Sequence, residues 1–368
     1  MGRETIHLMA CADFPSAQAI TCERAPAAAR APRTDAAVRR NKQEPQLKII
    51  SHRGASGHRP EHTLGSYELG ARVGGDFMEI DLVATADGAL VARHEPEIGQ
   101  TTDVSDRPEF ADRRTTRTID GREYTGWFTQ DFTLDELKTL RATERIPEVR
   151  PDNTAHDGVY EIPTFQEIVD LARRMTDELG RRIGVYPETK HPAYHSELGL
   201  DLEPPLLAAL LDNGLTGAEP ELPVFLQSFE SESLRKLADA GLPRVFLMGT
   251  EEHWRPYLTP EGLAGVAAFA EAVGPAKDLV IPRDEQGDLG EPTSLVGDAH
   301  EAGLLVHPWT FRSENRFLPT DLRSRGGPGD FGGFAAEYDA FFAAGVDGVF
   351  TDHSRHAFLA REIHLEDI

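Results

Sequence analysis

The sequence predicts a parallel barrel of eight strand-and-helix units, a (β/α)₈ fold, with a small cap insertion near its beginning. Three observations support this prediction. From Leu47 onward, short apolar and β-branched runs alternate with helical patterns. Two of the strand candidates are joined by a loop too short for a parallel crossover. No G-x-G-x-x-G motif opens a helix, which disfavours the structural alternative, a doubly wound open sheet.

The alternation supplies nine strand candidates, most of them followed by a helix. The strand candidates cover 47–52, 77–83, 89–94, 182–188, 224–229, 244–249, 278–282, 304–311 and 348–352. The helix candidates in this repeat cover 63–74, 165–179, 204–214, 231–241, 260–273, 294–303 and 334–345. A repeat of strand, helix and strand is the pattern of a closed parallel barrel.

One of the nine strands does not belong to the parallel set. The runs 77–83 and 89–94 are separated only by ATADG, so they must form an antiparallel hairpin, and eight parallel strands remain. A hairpin centred on the turn at Ala86-Asp87 places His94 opposite Glu79, on the same face of the sheet.

Residues 95–161 interrupt the repeat, so we interpret them as a cap insertion at the top of the barrel. The segment contains one helix candidate, 132–142, together with Pro108, Pro147 and Pro151 and the turn-like DGREYTGW. Loops of this length are usually lids or binding elements. A surface insertion without a chemical role is the alternative.

Composition restricts the classes of partner. The chain has 368 residues, with 62 acidic and 38 basic side chains and a net charge of -24. This overall charge argues against a nucleic-acid partner, although it is also consistent with a surface selected only for solubility. No apolar run approaches the roughly 20 residues of a membrane span, so none is predicted.

Residues 1–46 are expected to form a flexible leader, and 47–368 the barrel domain. The leader is rich in Ala, Arg and Pro and holds both cysteines, Cys11 and Cys22, whose pairing stays open. The apolar run 6–14 is too short for a clear signal-peptide core, so export and a cytoplasmic location both remain possible.

Acidic side chains at strand ends suggest a metal site. Glu79 and Asp81 are two apart on one strand and leave it on the same face, where they repel each other unless a cation lies between them. Glu188, at another strand end, supplies a third carboxylate. Oxygen ligands of this kind suit Ca²⁺ or Mg²⁺, so we predict one of these as cofactor. Salt bridges to arginines are the alternative.

Histidines and basic side chains at the same edge suit a phosphodiester substrate. His52 and His94 both end strands and titrate near neutrality, so they can share the transfer of protons. Arg53 and Lys190 can stabilise charge on a phosphoryl group. No G-x-S-x-G motif occurs, which disfavours acyl-enzyme chemistry. Buried structural histidines are the alternative.

These motifs resemble, in order and number, those of the glycerophosphodiester phosphodiesterase family. The resemblance covers Lys48 to about His353, and the matching segments are SHRGASGHRPEHTLGSYELG (51–70), MEIDLVATADGALVARHE (78–95), YPETKHP (186–192), LQSFE (226–230), VHPWTFR (306–312) and GVDGVFTD (345–352). The insertion after the His94 strand is similar to that of the longer, often exported, members.

The resemblance implies a capped (β/α)₈ barrel that hydrolyses glycerophosphodiesters to glycerol 3-phosphate and an alcohol through a cyclic phosphate. It implies a divalent metal, and a small-molecule substrate as partner. The roles it carries over are general acid/base for His52 and His94, metal ligation for Glu79, Asp81 and Glu188, and phosphate contact for Arg53. By the same resemblance, Lys190 contacts the phosphate or steadies the metal site, and Glu61 and Trp309 shape the glycerol pocket.

One departure from the family pattern is Glu95, where members have aspartate after the histidine. Because neighbouring residues of a strand face opposite sides, we expect Glu95 to lie away from the catalytic face. A second departure is His353 after Asp352. The rival functions are a phosphatidylinositol-type or sphingomyelinase D-like phosphodiesterase and a non-catalytic barrel that binds phosphoesters. The sequence does not predict the oligomeric state.

Overall fold

Eight parallel strands enclose an apolar interior in the computed structural model, which describes residues 47–366. The strands lie side by side in the order in which they occur along the chain. Hydrogen bonds from the amide of Asp347 to the carbonyl of Val306, and from Phe350 to Pro308, connect the last two strands and close the ring. The prediction of a (β/α)₈ barrel is confirmed.

The strands and helices of the described residues are numbered along the chain. The strands are β1 (Lys48–Ser51), β2 (Phe77–Ala84), β3 (Leu90–Ala92), β4 (Thr115–Ile119), β5 (Arg122–Gly126), β6 (Gly184–Thr189), β7 (Leu226–Ser228), β8 (Arg244–Met248), β9 (Ala272–Pro275), β10 (Leu305–Val306) and β11 (Gly348–Thr351). The α-helices are α1 (Leu64–Arg72), α2 (Leu134–Leu137), α3 (Phe165–Leu179), α4 (Pro192–Glu197), α5 (Glu203–Asp212), α6 (Ser231–Lys236), α7 (Pro260–Val266), α8 (Lys277–Val280), α9 (Leu295–Glu301), α10 (Phe334–Ala343) and α11 (Ser354–Glu366). The barrel consists of β1, β2 and β6 to β11.

Aromatic rings fill the centre of the barrel. Tyr186 stacks on Phe225 and makes T-shaped contacts with Phe77 and Phe350, with ring centroids 5.1 to 5.8 Å apart. Two larger apolar clusters lie between the strands and the outer helices. This double layer excludes water from the base of the strands, so the polar groups of the barrel collect at its open, C-terminal edge.

The predicted strand 278–282 is wrong. Its first residues belong to helix α8. The strand in this position is β9, whose first two residues lie within the predicted helix 260–273. Gly274 and Pro275 weaken the strand pattern of β9, but pairing with β8 on one side and β10 on the other stabilises it. A Cβ atom at Gly274 would lie 2.5 Å from Leu247, so this packing requires glycine.

The hairpin of β2 and β3 is confirmed, but its predicted register is wrong by one residue. Leu82 pairs with Ala92, because the turn contains three residues and its last, Gly88, has a φ of +80°. Continued register would place His94 opposite Ile80 rather than Glu79. Strand β3 ends at Ala92, however, so His94 leaves the sheet and its direction is not set by strand pairing.

The insertion between β3 and α3 contributes Phe110, Phe132 and Leu140 to an apolar cluster that also includes Val83 of β2 and Val91 of β3. The predicted helix 132–142 is correct only over the four residues of α2. The hairpin of β4 and β5 was not predicted, because most of its side chains are exposed and give no apolar alternation.

Within residues 47–366, no helix is both long and apolar enough to span a membrane. The predicted leader, 1–46, lies outside the described residues, as do Cys11 and Cys22.

Candidate active site

A cavity of about 1460 Å³ opens at the C-terminal ends of the barrel strands. Eight of the nine predicted site residues line it, and these are His52, Arg53, Glu79, Asp81, His94, Glu188, Lys190 and Trp309. The ninth, Glu61, lines a smaller adjoining cavity that also touches His52 and Arg53. The fold therefore gathers residues from four barrel strands, from the hairpin strand β3 and from the turns that follow them.

The three predicted metal ligands form one buried cluster. Oxygen atoms of Glu79, Asp81 and Glu188 all lie within 4.8 Å of one another, and Asp81 and Glu188 are direct partners in the pairing of β2 with β6. Each of these residues is less than 5% exposed. Three oxygen donors this close together fit a hard divalent cation such as Ca²⁺ or Mg²⁺.

Burial and mutual repulsion shift the pKa values of these three carboxylates. Burial, together with the charges of Asp81 and Glu188, raises the pKa of Glu79 well above its usual value. Burial also raises the pKa of Glu188 to about 8, although Lys190 acts in the opposite direction from 2.9 Å. Burial opposes ionisation of Asp81 too, but Lys190 and His62 hold the pKa of that carboxyl well below its usual range. Ionised together, the three carboxylates would have more negative charge than their neighbours neutralise, and a bound cation relieves this condition.

Two residues that were not predicted as part of the site hold these carboxylates in place. His62 is completely buried, with Nε2 2.8 Å from Oδ2 of Asp81 and Nδ1 2.6 Å from the hydroxyl of Tyr67. The Nε2 amide of Gln227 donates to Oε1 of Glu79 at 3.0 Å. His62 follows Glu61 within the matching segment 51–70, and Gln227 lies within LQSFE (226–230). Their position in these segments is the sequence signal that could have identified them as site residues.

His52 is paired with an acidic residue from the other end of the chain. Its Nδ1 atom lies 2.6 Å from Oδ1 of Asp352, directly after β11. Burial and the charge of Arg53 lower the pKa of His52 to about 4, so the imidazole is neutral near pH 7. The bond to Asp352 favours the tautomer that keeps its proton on Nδ1 and leaves the Nε2 lone pair for the cavity.

His94 has the same arrangement with Glu95, and the expectation that Glu95 faces away is wrong. The His94 Nδ1 atom lies 2.5 Å from Oε1 of Glu95, and both residues line the cavity. Alternation does not apply here because β3 ends at Ala92. Burial in the deep cavity, with the charges of Arg53 and Lys190, lowers the pKa of His94 to about 3, although 30% of its side chain is accessible.

Arg53 lies between the two histidines and the carboxylates. It adopts a positive φ of 58°, its backbone amide donates to Oε2 of Glu79 at 2.8 Å, and its Nη1 donates to both oxygens of Glu61 at 3.1 Å. Glu61 therefore binds Arg53 and does not line the main cavity. The Nε atom of Arg53 is buried without a hydrogen-bond partner among the described residues, but it lies 3.4 Å from Oδ2 of Asp81, so the guanidinium also forms an ion pair with the carboxylate cluster.

Trp309 forms part of an aromatic wall on the opposite side of the cavity. Its indole nitrogen donates to the carbonyl of Gly274 at 2.7 Å, which fixes the ring, and its centroid lies 5.8 Å from that of Phe229. Phe229 in turn lies 5.6 Å from the ammonium group of Lys190. The wall is apolar and adjoins the charged centre, as expected for a surface that contacts the carbon atoms of a substrate.

Buried carboxylates that can hold a divalent cation lie beside histidines that can transfer protons, and phosphodiester hydrolysis needs both kinds of group. The fold and the site therefore indicate a phosphodiester hydrolase. Comparison with known proteins agrees. Residues 52–356 match the glycerophosphoryl diester phosphodiesterase family, and the chain belongs to this family. It is accordingly an enzyme of glycerophosphodiester hydrolysis.

Individual relatives support the assignment along most of the chain. The chain is 35% identical to the glycerophosphodiester phosphodiesterase GDPD6 of Arabidopsis thaliana over 323 residues, which cover 82% of each protein. It is 29% identical to a glycerophosphodiester phosphodiesterase of Haemophilus influenzae, covering 83% of this chain and 86% of the relative.

Solved structures share the fold at lower identity. An Oleispira antarctica phosphodiesterase, solved in complex with the product sn-glycerol-3-phosphate, matches with a TM-score of 0.53 and 19% identity, covering 86% of this chain and 96% of that one. A glycerophosphoryl diester phosphodiesterase of Parabacteroides distasonis matches with a TM-score of 0.51 and 17% identity, covering 86% and 87%.

Proposed function

We propose that this enzyme releases glycerol 3-phosphate and an alcohol from glycerophosphodiesters, with His52 and His94 as the general acid/base pair. The observation that carries the proposal is the pairing of both histidines, through Nδ1, with a carboxylate in a single cavity. Each pairing fixes the tautomer and orients Nε2, which is what a side chain needs to exchange a proton with a substrate.

The proton transfers follow from this geometry. One histidine takes the proton from the free glycerol hydroxyl as that oxygen bonds to phosphorus. The other gives a proton to the oxygen of the departing alcohol as its bond to phosphorus breaks. Water then opens the resulting cyclic phosphate with the two roles exchanged. The histidine that acts as acid must first be protonated, and the negative charge of the bound phosphate favours this.

Arg53 and Lys190 are proposed to bind the phosphoryl oxygens. Both side chains line the main cavity at the edge of the carboxylate cluster, with Nε of Arg53 3.4 Å and Nζ of Lys190 3.6 Å from oxygens of Asp81. Guanidinium and ammonium groups stabilise charge that develops on a phosphoryl group in the transition state. Glu61 keeps Arg53 in place through its double contact, so we assign it a role in orienting the phosphate ligand.

Glu79, Asp81 and Glu188 are proposed to hold a divalent cation, either Ca²⁺ or Mg²⁺. The cation supplies charge stabilisation to the phosphoryl oxygens when it is bound. The three carboxylates are then ionised together, and Gln227 and His62 keep two of them in position.

The glycerol portion of the substrate is proposed to lie against Trp309. The Oleispira antarctica relative was solved with sn-glycerol-3-phosphate, which supports the same product here. The cavity of about 1460 Å³ exceeds the space that glycerol phosphate needs, so the alcohol portion has room beside it.

Substitution of the two histidines tests the proposal. We expect the purified protein to release glycerol 3-phosphate from glycerophosphocholine, and His52→Ala and His94→Ala each to lower kcat by about 10²- to 10⁴-fold, the usual contribution of a general acid or base. His191→Asn is the matched control, because His191 lines the same cavity and also contacts a carboxylate, Asp120. Unchanged rates in both alanine variants would exclude the mechanism.

The rival activities give different outcomes. A phosphatidylinositol-type or sphingomyelinase D-like enzyme would cleave phosphatidylinositol or sphingomyelin faster than glycerophosphocholine. Removal of metal with EDTA is expected to abolish activity, and Ca²⁺ or Mg²⁺ to restore it. If EDTA leaves the rate unchanged, the metal proposal is wrong while the two histidines remain testable by substitution.

A further inference from the structure

The cap insertion sends two arginines to the edge of the active site. Arg145 and Arg150 lie on one short segment between α2 and α3, and both line the smaller cavity beside His52 and Arg53. Neither arginine belongs to a segment that carries the family resemblance.

Arg145 binds two carboxylates at once. Its Nη2 and Nη1 donate to the two oxygens of Glu95 at 2.7 and 3.1 Å. Its Nε and Nη2 donate to the oxygens of Glu61 at 2.8 and 2.6 Å. Glu95 is the partner of His94, and Glu61 is the partner of Arg53, so this one guanidinium contacts the supports of two proposed active-site groups.

Arg150 has the corresponding position on the other histidine. Its Nη2 donates to Oδ2 of Asp352 at 2.6 Å, while Oδ1 of the same carboxylate accepts from His52. Its Nε donates to Glu314 at 2.7 Å, and its side chain is only 7% exposed. Each proposed catalytic histidine is thus hydrogen-bonded to a carboxylate, and a guanidinium of the cap binds that carboxylate in turn.

We propose that Arg145 and Arg150 are positioning residues, through which the cap fixes the carboxylates that orient His94 and His52. The inference rests on the proposed function of the two histidines. A carboxylate shared by an imidazole and a guanidinium cannot rotate without losing a charge-assisted hydrogen bond, so the imidazole ring keeps its direction toward the substrate.

The two histidines do not depend equally on the cap. Asp352 is also bound by Arg312 at 2.8 Å, whereas Arg145 is the guanidinium that binds Glu95 within residues 47–366. We therefore expect substitution of Arg145 to affect catalysis more than substitution of Arg150. Glutamate at position 95 fits this arrangement, because its longer side chain can bend back to His94 while it reaches Arg145.

Arg145→Gln is the primary test. We expect kcat on glycerophosphocholine to fall by about 10- to 100-fold, the loss typical of a slightly misplaced catalytic group, with a smaller effect on KM. Arg145→Lys should restore part of kcat, because lysine keeps the charge but not the forked geometry. Arg113→Gln is the control, since Arg113 also binds a carboxylate of the cap, Glu136, but lines neither cavity.

The pH profile separates positioning from general stability. Loss of Arg145 should move the acidic limb of kcat/KM to higher pH, because a positive charge is removed from beside Glu95 and His94. Glu95→Gln should move the same limb to lower pH, because a negative charge is removed. The charged groups around His94 and Glu95 are Arg145, Arg53, Arg93, Lys190, Asp81, Glu61 and Glu97.

The outcomes are distinguishable. If wild-type protein does not cleave glycerophosphodiesters, the proposed function fails. If it does, but Arg145→Gln keeps kcat and the acidic limb of the wild type, only the positioning role is wrong. If Arg145→Gln does not fold, Arg145→Lys and Glu95→Gln decide: wild-type kcat in both variants overturns the inference, and reduced kcat with a displaced limb supports it.

Discussion

Nδ1 of His52 and Oδ1 of Asp352, separated by 300 residues of sequence, are 2.6 Å apart at the closure of the barrel. His52 follows the first strand and Asp352 follows the last, and these two strands pair in parallel. Asp352 is 3% exposed at its side chain, and its second oxygen accepts from Arg150 and Arg312. The carboxylate of Asp352 therefore connects His52 with an arginine of the cap, Arg150, and with Arg312, which follows β10.

Replacement of Asp352 by asparagine should lower kcat strongly and change the affinity for the substrate much less. Asparagine can present its amide to Nδ1 and stabilise the wrong tautomer, so the expected loss in kcat is roughly 10³- to 10⁴-fold, as for an aspartate that orients a catalytic histidine. Steady-state kinetics of Asp352→Asn on glycerophosphocholine measures it. Asp347→Asn is the control, because Asp347 also binds a histidine, His300, but lines neither cavity. A kcat near the wild-type value would contradict the assigned role.

His62 should control metal affinity without contact to the metal. Its Nε2 holds Oδ2 of Asp81, and the hydroxyl of Tyr67 fixes its other nitrogen. Substitution of residues that hold metal ligands typically costs about 10- to 100-fold in affinity, so we expect this loss in His62→Ala and a smaller one in Tyr67→Phe. Isothermal titration with Ca²⁺ or Mg²⁺ measures it. Equal affinity in wild type and His62→Ala would refute the assignment.

Divalent cations should stabilise the folded chain. The free energy of unfolding is expected to rise by about 2.7 kcal/mol when Ca²⁺ or Mg²⁺ is present at about 100 times its Kd. Urea denaturation with and without metal, after treatment with EDTA, measures the change. Asp81→Asn should abolish it, while Asp120→Asn, which alters another carboxylate of the same cavity, should preserve it. Stabilisation of Asp81→Asn equal to that of the wild type would disprove the site.

Stability should fall in mild acid because of His307. This histidine is fully buried, its Nδ1 atom lies 2.9 Å from the hydroxyl of Tyr186, and burial lowers its pKa from 6.5 to about 3. Between these two values the unfolded chain binds the proton and the folded chain does not. Its contribution to the free energy of unfolding is therefore complete above pH 6.5 and decreases by about 1.4 kcal/mol for each pH unit below it.

Urea denaturation from pH 7 to pH 5 measures this slope. His307→Gln, which can still accept from Tyr186, should show a smaller slope than the wild type. Tyr186→Phe should lower stability at every pH but keep the slope, because His307 remains buried. If His307→Gln retains the full wild-type slope, the effect must be assigned to other groups.

The barrel, its antiparallel hairpin and its cap followed from local patterns. Apolar periodicity and short loops are properties of neighbouring residues, and they were enough to predict eight parallel strands. β9 was missed because its Gly274 and Pro275 weaken the strand pattern, and only pairing with both neighbours stabilises it. The exposed hairpin of β4 and β5 was missed because most of its side chains have no apolar face to bury.

The sequence by itself identified the residues at the strand ends, and with them the carboxylate cluster around Glu79. It did so because parallel strands bring their C-terminal ends to one edge, whatever the details of packing. Tertiary structure alone decided the partners. Glu95 turns toward His94 once β3 has ended. Asp352 reaches His52, and Arg145 and Arg150 reach the carboxylates of Glu95 and Asp352, across long separations in sequence. Such contacts depend on where distant segments pack in space, which no local pattern records.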